Sequence, residues 1–167
     1  SRVTGPFVAE LIDADPDGNP PWLAERYVPG PTLAEQVAAH GPLIEGNALV
    51  VALALASALN DVHRAGVVHR DLKPSNVILA TQGPGVIDFG IAAASDSTAL
   101  TRTGAVMGSA GWMSPEQVRG EPAGAPTDLF AWGATVAFAA TGRPPFGTGR
   151  ADALAYRVAH GEPDLSG

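Results

Sequence analysis

The chain has 167 residues and a mass of 17.0 kDa, room for one ordinary domain with its own core. Seventeen acidic against ten basic side chains give a formal charge of -7 and a pI near 4.9, which speaks against a nucleic-acid or anionic-membrane surface. The absence of cysteine excludes disulfide frameworks, thiolate zinc sites and cysteine nucleophiles, and a lysine count of one, Lys73, excludes any chemistry needing two lysines within these residues.

Ser1-Arg2-Val3-Thr4 has neither an initiator Met nor an apolar signal core. Two apolar runs, Val8 to Ile12 and Trp22 to Val28, flank the turn-rich stretch Asp15-Pro16-Asp17-Gly18-Asn19-Pro20-Pro21 and predict a β-hairpin. Pro29-Gly30-Pro31 ends its second strand. Thr32 is placed to cap a short helix carrying Leu33 and Val37, broken at Gly41-Pro42. From Glu45 to Ala65 the pattern predicts a helix apolar on most faces and therefore buried by several neighbours; its apolar run, Ala48 to Leu59, is too short to span a bilayer.

After Gly66 come short pieces: Val67-Val68, a polar loop, Val77-Ile78-Leu79, a turn at Gln82 to Gly85, then Val86-Ile87. The stretch from Ala92 to Ala110 is too rich in Ser, Thr, Gly and Ala to be core. Asp128 to Thr141 predicts a second apolar helix, stopped by Gly142 and Pro144-Pro145, and Ala151 to His160 a last amphipathic one. No internal repeat is present.

The segment that carries chemistry is His69-Arg70-Asp71-Leu72-Lys73-Pro74-Ser75-Asn76, followed by Asp88-Phe89-Gly90 and later by Ser114-Pro115-Glu116. A carboxylate, an ammonium and two oxygen ligands on short loops suit phosphoryl transfer, which demands positioning, charge neutralisation and a place for a hydroxyl proton. Taken singly, each of these side chains reads as an ordinary solvated charge. His40, His63 and His160 have no partner at metal spacing, so no zinc site is expected.

In these motifs the chain resembles the bacterial Hanks-type Ser/Thr protein kinases, from about Val8 to Gly161. The resemblance implies an α+β kinase-like fold, with a mostly helical large lobe over about 29–167 lacking its last helices and a residual hairpin and hinge of the small lobe over about 1–28. It implies that Asp71 orients the acceptor hydroxyl and takes its proton, that Lys73 contacts the γ-phosphate, and that Asn76 and Asp88 hold Mg²⁺. ATP would sit on hinge main chain, the Arg26 carbonyl and Val28 amide, with Ile78 as its floor. His69 would pack beneath Phe89, with Leu11 contributed by a strand. Asp128 would accept hydrogen bonds from the catalytic-loop backbone, and Ser109 would bridge Asp71 and Lys73. Thr101 and Thr103 match autophosphorylation positions, with Arg70 as the cation for a phosphothreonine. Glu116 is a structural acid that meets an Arg from a later helix.

Two departures stand out: Glu25 falls where the family has an apolar residue or Thr, and Arg26 where it has an acid. The Gly-rich loop and the strand lysine that hold the phosphates are not found in these residues, so the chain reads as part of a kinase domain and, expressed alone, is expected to show negligible activity. Expected partners are ATP, proteins with Ser/Thr acceptors and a second kinase copy for autophosphorylation, but no nucleic acid. The expected location is cytoplasmic, including the cytosolic part of a membrane-anchored receptor kinase. The alternative, which Glu25 and Arg26 favour, is a truncated or degenerate kinase serving as a non-catalytic binding or regulatory module.

Overall fold

A computed structural model describes residues 3–15, 17–88 and 109–166. The expectations for Phe89, Thr101 and Thr103 lie outside the described residues. Two antiparallel strand pairs and a set of helices alternate along the described chain, in agreement with the α+β expectation.

Strands β1 (Leu11–Asp15) and β2 (Trp22–Glu25) form the first hairpin, with Asp15 opposite Trp22 and an irregularity between Leu11 and Asp13. The first strand lies three residues later than the apolar run suggests. Val8 bridges Val86 instead, and the Ala9 amide donates to the Val86 carbonyl at 2.9 Å, so the start of that run joins the core while acidic residues form the strand. The second strand ends at Glu25, before the predicted Val28.

Thr32 caps α1 (Leu33–His40): its hydroxyl accepts from the Glu35 amide at 3.0 Å while the Glu35 carboxylate accepts from the Thr32 amide at 2.8 Å. This reciprocal pair satisfies two of the donors that a helix start leaves open. Helix α2 (Glu45–Arg64) buries Val51, Leu55, Leu59 and Val62 against β4 (Gly83–Val86) and α4 (Ala125–Thr141). The expectation of burial on most faces is corrected here, because Leu49, Val50 and Leu53 are more than half exposed on its other side. At 20 residues and a mean hydropathy of 1.2 the helix is also long and apolar enough to cross a membrane, although in this fold its buried face belongs to the core.

A 3₁₀ turn (Pro74–Asn76) leads into β3 (Val77–Ala80), which pairs with β4 from Val77↔Val86 to Ala80↔Gly83. The predicted turn at Gln82 to Gly85 is tighter than expected: Gly83-Pro84-Gly85 is strand, and Val67-Val68 is not. Beyond residue 108 come a 3₁₀ turn (Ala110–Trp112), the short α3 (Pro115–Val118), α4 and α5 (Ala151–His160). Gly142 ends α4 in the left-handed conformation at φ 73°, where its amide reaches the Phe138 carbonyl at 2.8 Å. The Trp132 indole N–H donates to the Ala52 carbonyl at 2.9 Å and pins α4 to α2. Leu33, Leu55, Leu72, Val77 and Val86 belong to one core cluster, to which the 69–76 loop contributes Leu72.

Candidate active site

The loop from His69 to Lys73 has no regular structure, so its shape depends on side chains that catch its backbone. Asp128 does most of this. One of its oxygens accepts from the His69 amide at 2.9 Å and the other from the Arg70 amide at 2.8 Å. Asp128 is fully buried in the first turns of α4, past the N-cap residue Gly124, so its carboxylate serves the loop and not the helix end. Arg70 has φ 68°, a left-handed conformation that costs a non-glycine residue about 1–2 kcal/mol. The bond to Asp128 and a second one, from the Gln117 side-chain amide to the Arg70 carbonyl at 2.8 Å, offset that cost from both sides of the residue.

His63, given no role by the sequence, donates from Nε2 at 2.7 Å to Asp128 Oδ2, the oxygen that also accepts from the His69 amide. Its signal in the sequence is faint: it lies in the last turn of α2, six residues ahead of the loop. Gln117 was equally invisible. It sits in the capping box of α3, where Ser114 and Gln117 bond reciprocally.

The loop then aims three side chains at one place. Lys73 Nζ donates to Asp71 Oδ2 at 2.7 Å, and the Asn76 side-chain amide donates to the Asp71 carbonyl at 2.9 Å and to Asp71 Oδ2 at 3.3 Å. Pro74 begins the 3₁₀ turn with its ring-fixed φ and brings Asn76 back under Asp71. Ser109 accepts from Lys73 Nζ at 3.1 Å; among the described residues no hydrogen bond joins it to Asp71, so the expected bridge is only half formed. Asp88 arrives by strand pairing. Val77 faces Val86, the Ile87 amide donates to the Asn76 carbonyl at 3.0 Å, and the next residue is Asp88, with φ 59°.

His69 is fully buried and its Nδ1 accepts from the Asp71 amide at 3.3 Å, which places the ring proton on Nε2. Burial pushes its imidazole below the ordinary 6.5, against the pull of the Asp128 and Asp71 carboxylates and the nearby backbone of His69 and Ile87. A folded-state value below the unfolded one means that the unfolded chain takes up more protons just below pH 6.5. The contribution to stability is therefore present above about pH 6.5 and is lost as pH falls below it, at up to about 1.4 kcal/mol per pH unit. Urea midpoints measured from pH 7.5 to 5.5 should fall in the unsubstituted chain and fall less in His69→Gln.

The main chain expected to hold adenine, at Arg26 and Val28, leads into residues 31–32, which meet β3. The Leu79 amide donates to the Pro31 carbonyl at 2.8 Å, Thr32 bridges Ile78, and the Val28 side chain lies beside Gly85. Ile78 is buried beside this segment. Gly30, at φ 150°, approaches so closely that a Cβ would stand 2.6 Å from the Leu79 carbonyl oxygen. Gly30→Ala is therefore expected to cost about 2 kcal/mol or more, read as a lowered thermal midpoint. The Arg26 guanidinium is paired with Glu10 at 2.7 Å on the exposed edge. Such a surface pair contributes about 0–1 kcal/mol.

Glu116 meets Thr127, whose hydroxyl donates to it at 2.7 Å. Partial burial works to raise its carboxyl, but the hydroxyls of Thr127 and Ser114, its own backbone and Arg119 hold it below the usual range. Leu11 stands in β1.

A family model described as "Protein kinase domain" matches residues 1–162. The chain belongs to the protein kinase family. Among its curated relatives, the probable serine/threonine-protein kinase PkwA of Thermomonospora curvata is 46% identical over 164 residues, covering 98% of this chain and 22% of its own length. The serine/threonine-protein kinase AfsK of Streptomyces griseus is 44% identical over 99% of this chain and 21% of its own. The serine/threonine-protein kinase PknB of Mycobacterium leprae is 38% identical over 93% of this chain and 26% of its own. The chain thus spans about a fifth to a quarter of the length of these relatives. The kinase family uses ATP, typically with Mg²⁺. The donor set fits that cation: Asp88 offers a carboxylate, and Asn76, whose amide nitrogen is spent on Asp71, keeps its carbonyl oxygen, with the Ser75 hydroxyl at 3.4 Å. Hard oxygen donors of this kind suit Mg²⁺.

Proposed function

We propose that the protein carrying this chain transfers the γ-phosphoryl group of ATP to Ser or Thr hydroxyls of proteins, and that these residues form the transfer half of the site. The observation that carries the reading is the cluster Asp71, Lys73 and Asn76, bonded to one another on a loop held by the buried Asp128. A chance surface ion pair would not need a buried acid to shape the backbone beneath it.

In this reading Asp71 accepts a hydrogen bond from the acceptor hydroxyl and takes its proton as the oxygen bonds to the γ-phosphorus and the bond to the leaving ADP oxygen breaks. Asn76 keeps the Asp71 carboxylate turned toward the hydroxyl. Lys73, one-fifth exposed and bonded to Asp71, moves its charge onto the γ-phosphate when the nucleotide enters. Asn76 and Asp88 would hold Mg²⁺, which when bound supplies neutralising charge to the phosphates. The Arg26 carbonyl and Val28 amide would hold adenine over Ile78. Lys73 is committed to the transfer end, so a lysine for the α and β phosphates must come from outside these residues. In the same reading residues 1–28 are the end of a small lobe and 29–167 belong to a large lobe. Arg70 would pair with a phosphorylated Thr101 or Thr103, a modification that a second copy of the kinase would perform.

The test is transfer of labelled phosphate from ATP to a protein acceptor by the full-length protein with Mg²⁺. Labelled phosphoserine or phosphothreonine is the expected result. Nucleotide binding without transfer, with the site residues intact, would favour the non-catalytic module.

A further inference from the structure

The Glu25 carboxylate stands in an unusual place, and the structure gives it a partner. Strand alternation sends neighbouring side chains to opposite faces, so Arg26 turns outward to Glu10 while Glu25 turns inward. There its Oε2 accepts from the Asp88 amide at 2.9 Å, joining two residues 63 positions apart. The other oxygen, Oε1, is buried and has no hydrogen-bond partner among the described residues. Among the described residues Glu25 forms no ion pair, and the adjacent Arg26 guanidinium is paired with Glu10 on the outer edge.

Asp88 needs such a hold. At φ 59° it adopts a left-handed conformation that is uncommon for a residue with a side chain, although Asp and Asn enter it more readily than most. The β3–β4 pairing fixes the chain as far as Ile87, through the bond to Asn76, and stops one residue short. Glu25 supplies the next restraint. An amide bonded to an ionised carboxylate is held about twice as strongly as one bonded to a neutral acceptor.

We propose that Glu25 is a positioning residue for the metal site: its carboxylate locks the Asp88 backbone in the conformation that directs the Asp88 carboxylate toward the cation shared with Asn76. Asp88 as a metal ligand is part of the function proposed above, and the inference rests on that reading for its metal consequence. It assigns the departure at residue 25 to the transfer end of the site and away from adenine.

The experiment uses the 167-residue chain and needs no turnover. Amide hydrogen exchange at Asp88 is followed by NMR, and Mn²⁺ binding by electron paramagnetic resonance, in the unsubstituted chain, Glu25→Leu, Glu25→Gln and Asp88→Ala. In Glu25→Leu, exchange at Asp88 should quicken about tenfold or more and the Mn²⁺ dissociation constant should rise about fivefold. Glu25→Gln, which keeps an acceptor of the same shape, should restore most of both. Unchanged exchange and unchanged Mn²⁺ affinity in Glu25→Leu would overturn the proposal. If Asp88→Ala binds Mn²⁺ as well as the unsubstituted chain does, or if no binding is seen at all, the metal reading itself fails, while the exchange data still decide whether Glu25 holds Asp88.

Discussion

Asp128→Ala is expected to remove about 3–5 kcal/mol of folding stability, the largest loss of any single substitution at the site. The acid is fully buried and its two oxygens serve three partners: the His63 ring, the His69 amide and the Arg70 amide. Truncation leaves both backbone donors without the acceptor that shaped the loop, and each such orphan costs about 1–3 kcal/mol when water cannot replace it. It also frees Arg70 to leave its left-handed conformation, so the backbone path into Asp71 is lost together with the stability. A domain with a total of about 5–15 kcal/mol would survive this only marginally. Asp128→Asn keeps one acceptor oxygen but turns an NH₂ group toward a donor, and should lose about half as much. Urea unfolding gives the measurement: a lower midpoint at unchanged slope is the expected signature, and a loss below about 1 kcal/mol in the alanine variant would refute the role.

That network also shows what a sequence can and cannot disclose. Helix α5 has the bounds that its pattern predicts, and α1 begins at a Thr with Glu three residues on, a signature written entirely in local residues. The Asp71, Lys73 and Asn76 cluster was legible for the same reason, since six consecutive positions of one loop carry it. His63 and Asp128 meet across 65 positions, Gln117 and Arg70 across 47, and Glu25 and Asp88 across 63; no spacing rule joins such pairs. Their partners are decided by how α2, α3 and β2 pack around the loop, which is tertiary information. The bare face of α2 went unread for a related cause. Leu49, Val50 and Leu53 have the same apolar character as the buried Val51 and Leu55, and hydropathy alone does not say which side of a helix meets a neighbour. At β1 the apolar run was real but its start served Val86: Val8 bridges that residue and Ala9 is buried.

Asp71→Asn in the full-length protein should lower the rate of phosphoryl transfer by about 10²–10⁴-fold while leaving nucleotide binding nearly unchanged. The substitution preserves shape, so the backbone bond from the Asp71 amide to His69 and the Asn76 bond to the Asp71 carbonyl both persist. What disappears is the negative charge and the site for the hydroxyl proton. Lys73 would also lose the carboxylate 2.7 Å from its ammonium and keep only Ser109, at 3.1 Å, which frees it to bind phosphate at least as well as before. The two effects separate kinetically: kcat falls with the missing base, whereas KM for ATP holds or decreases. Loss of nucleotide binding in parallel with turnover would instead assign Asp71 to ground-state binding, and an unchanged rate would remove it from the reaction. The comparison with Lys73→Ala sharpens the test, because removal of the ammonium withdraws charge from the transferred group and leaves the base intact. If Asp71 and Lys73 act as one unit, the double variant should be little slower than the worse of the two single ones, since groups that share a transition state do not contribute independently.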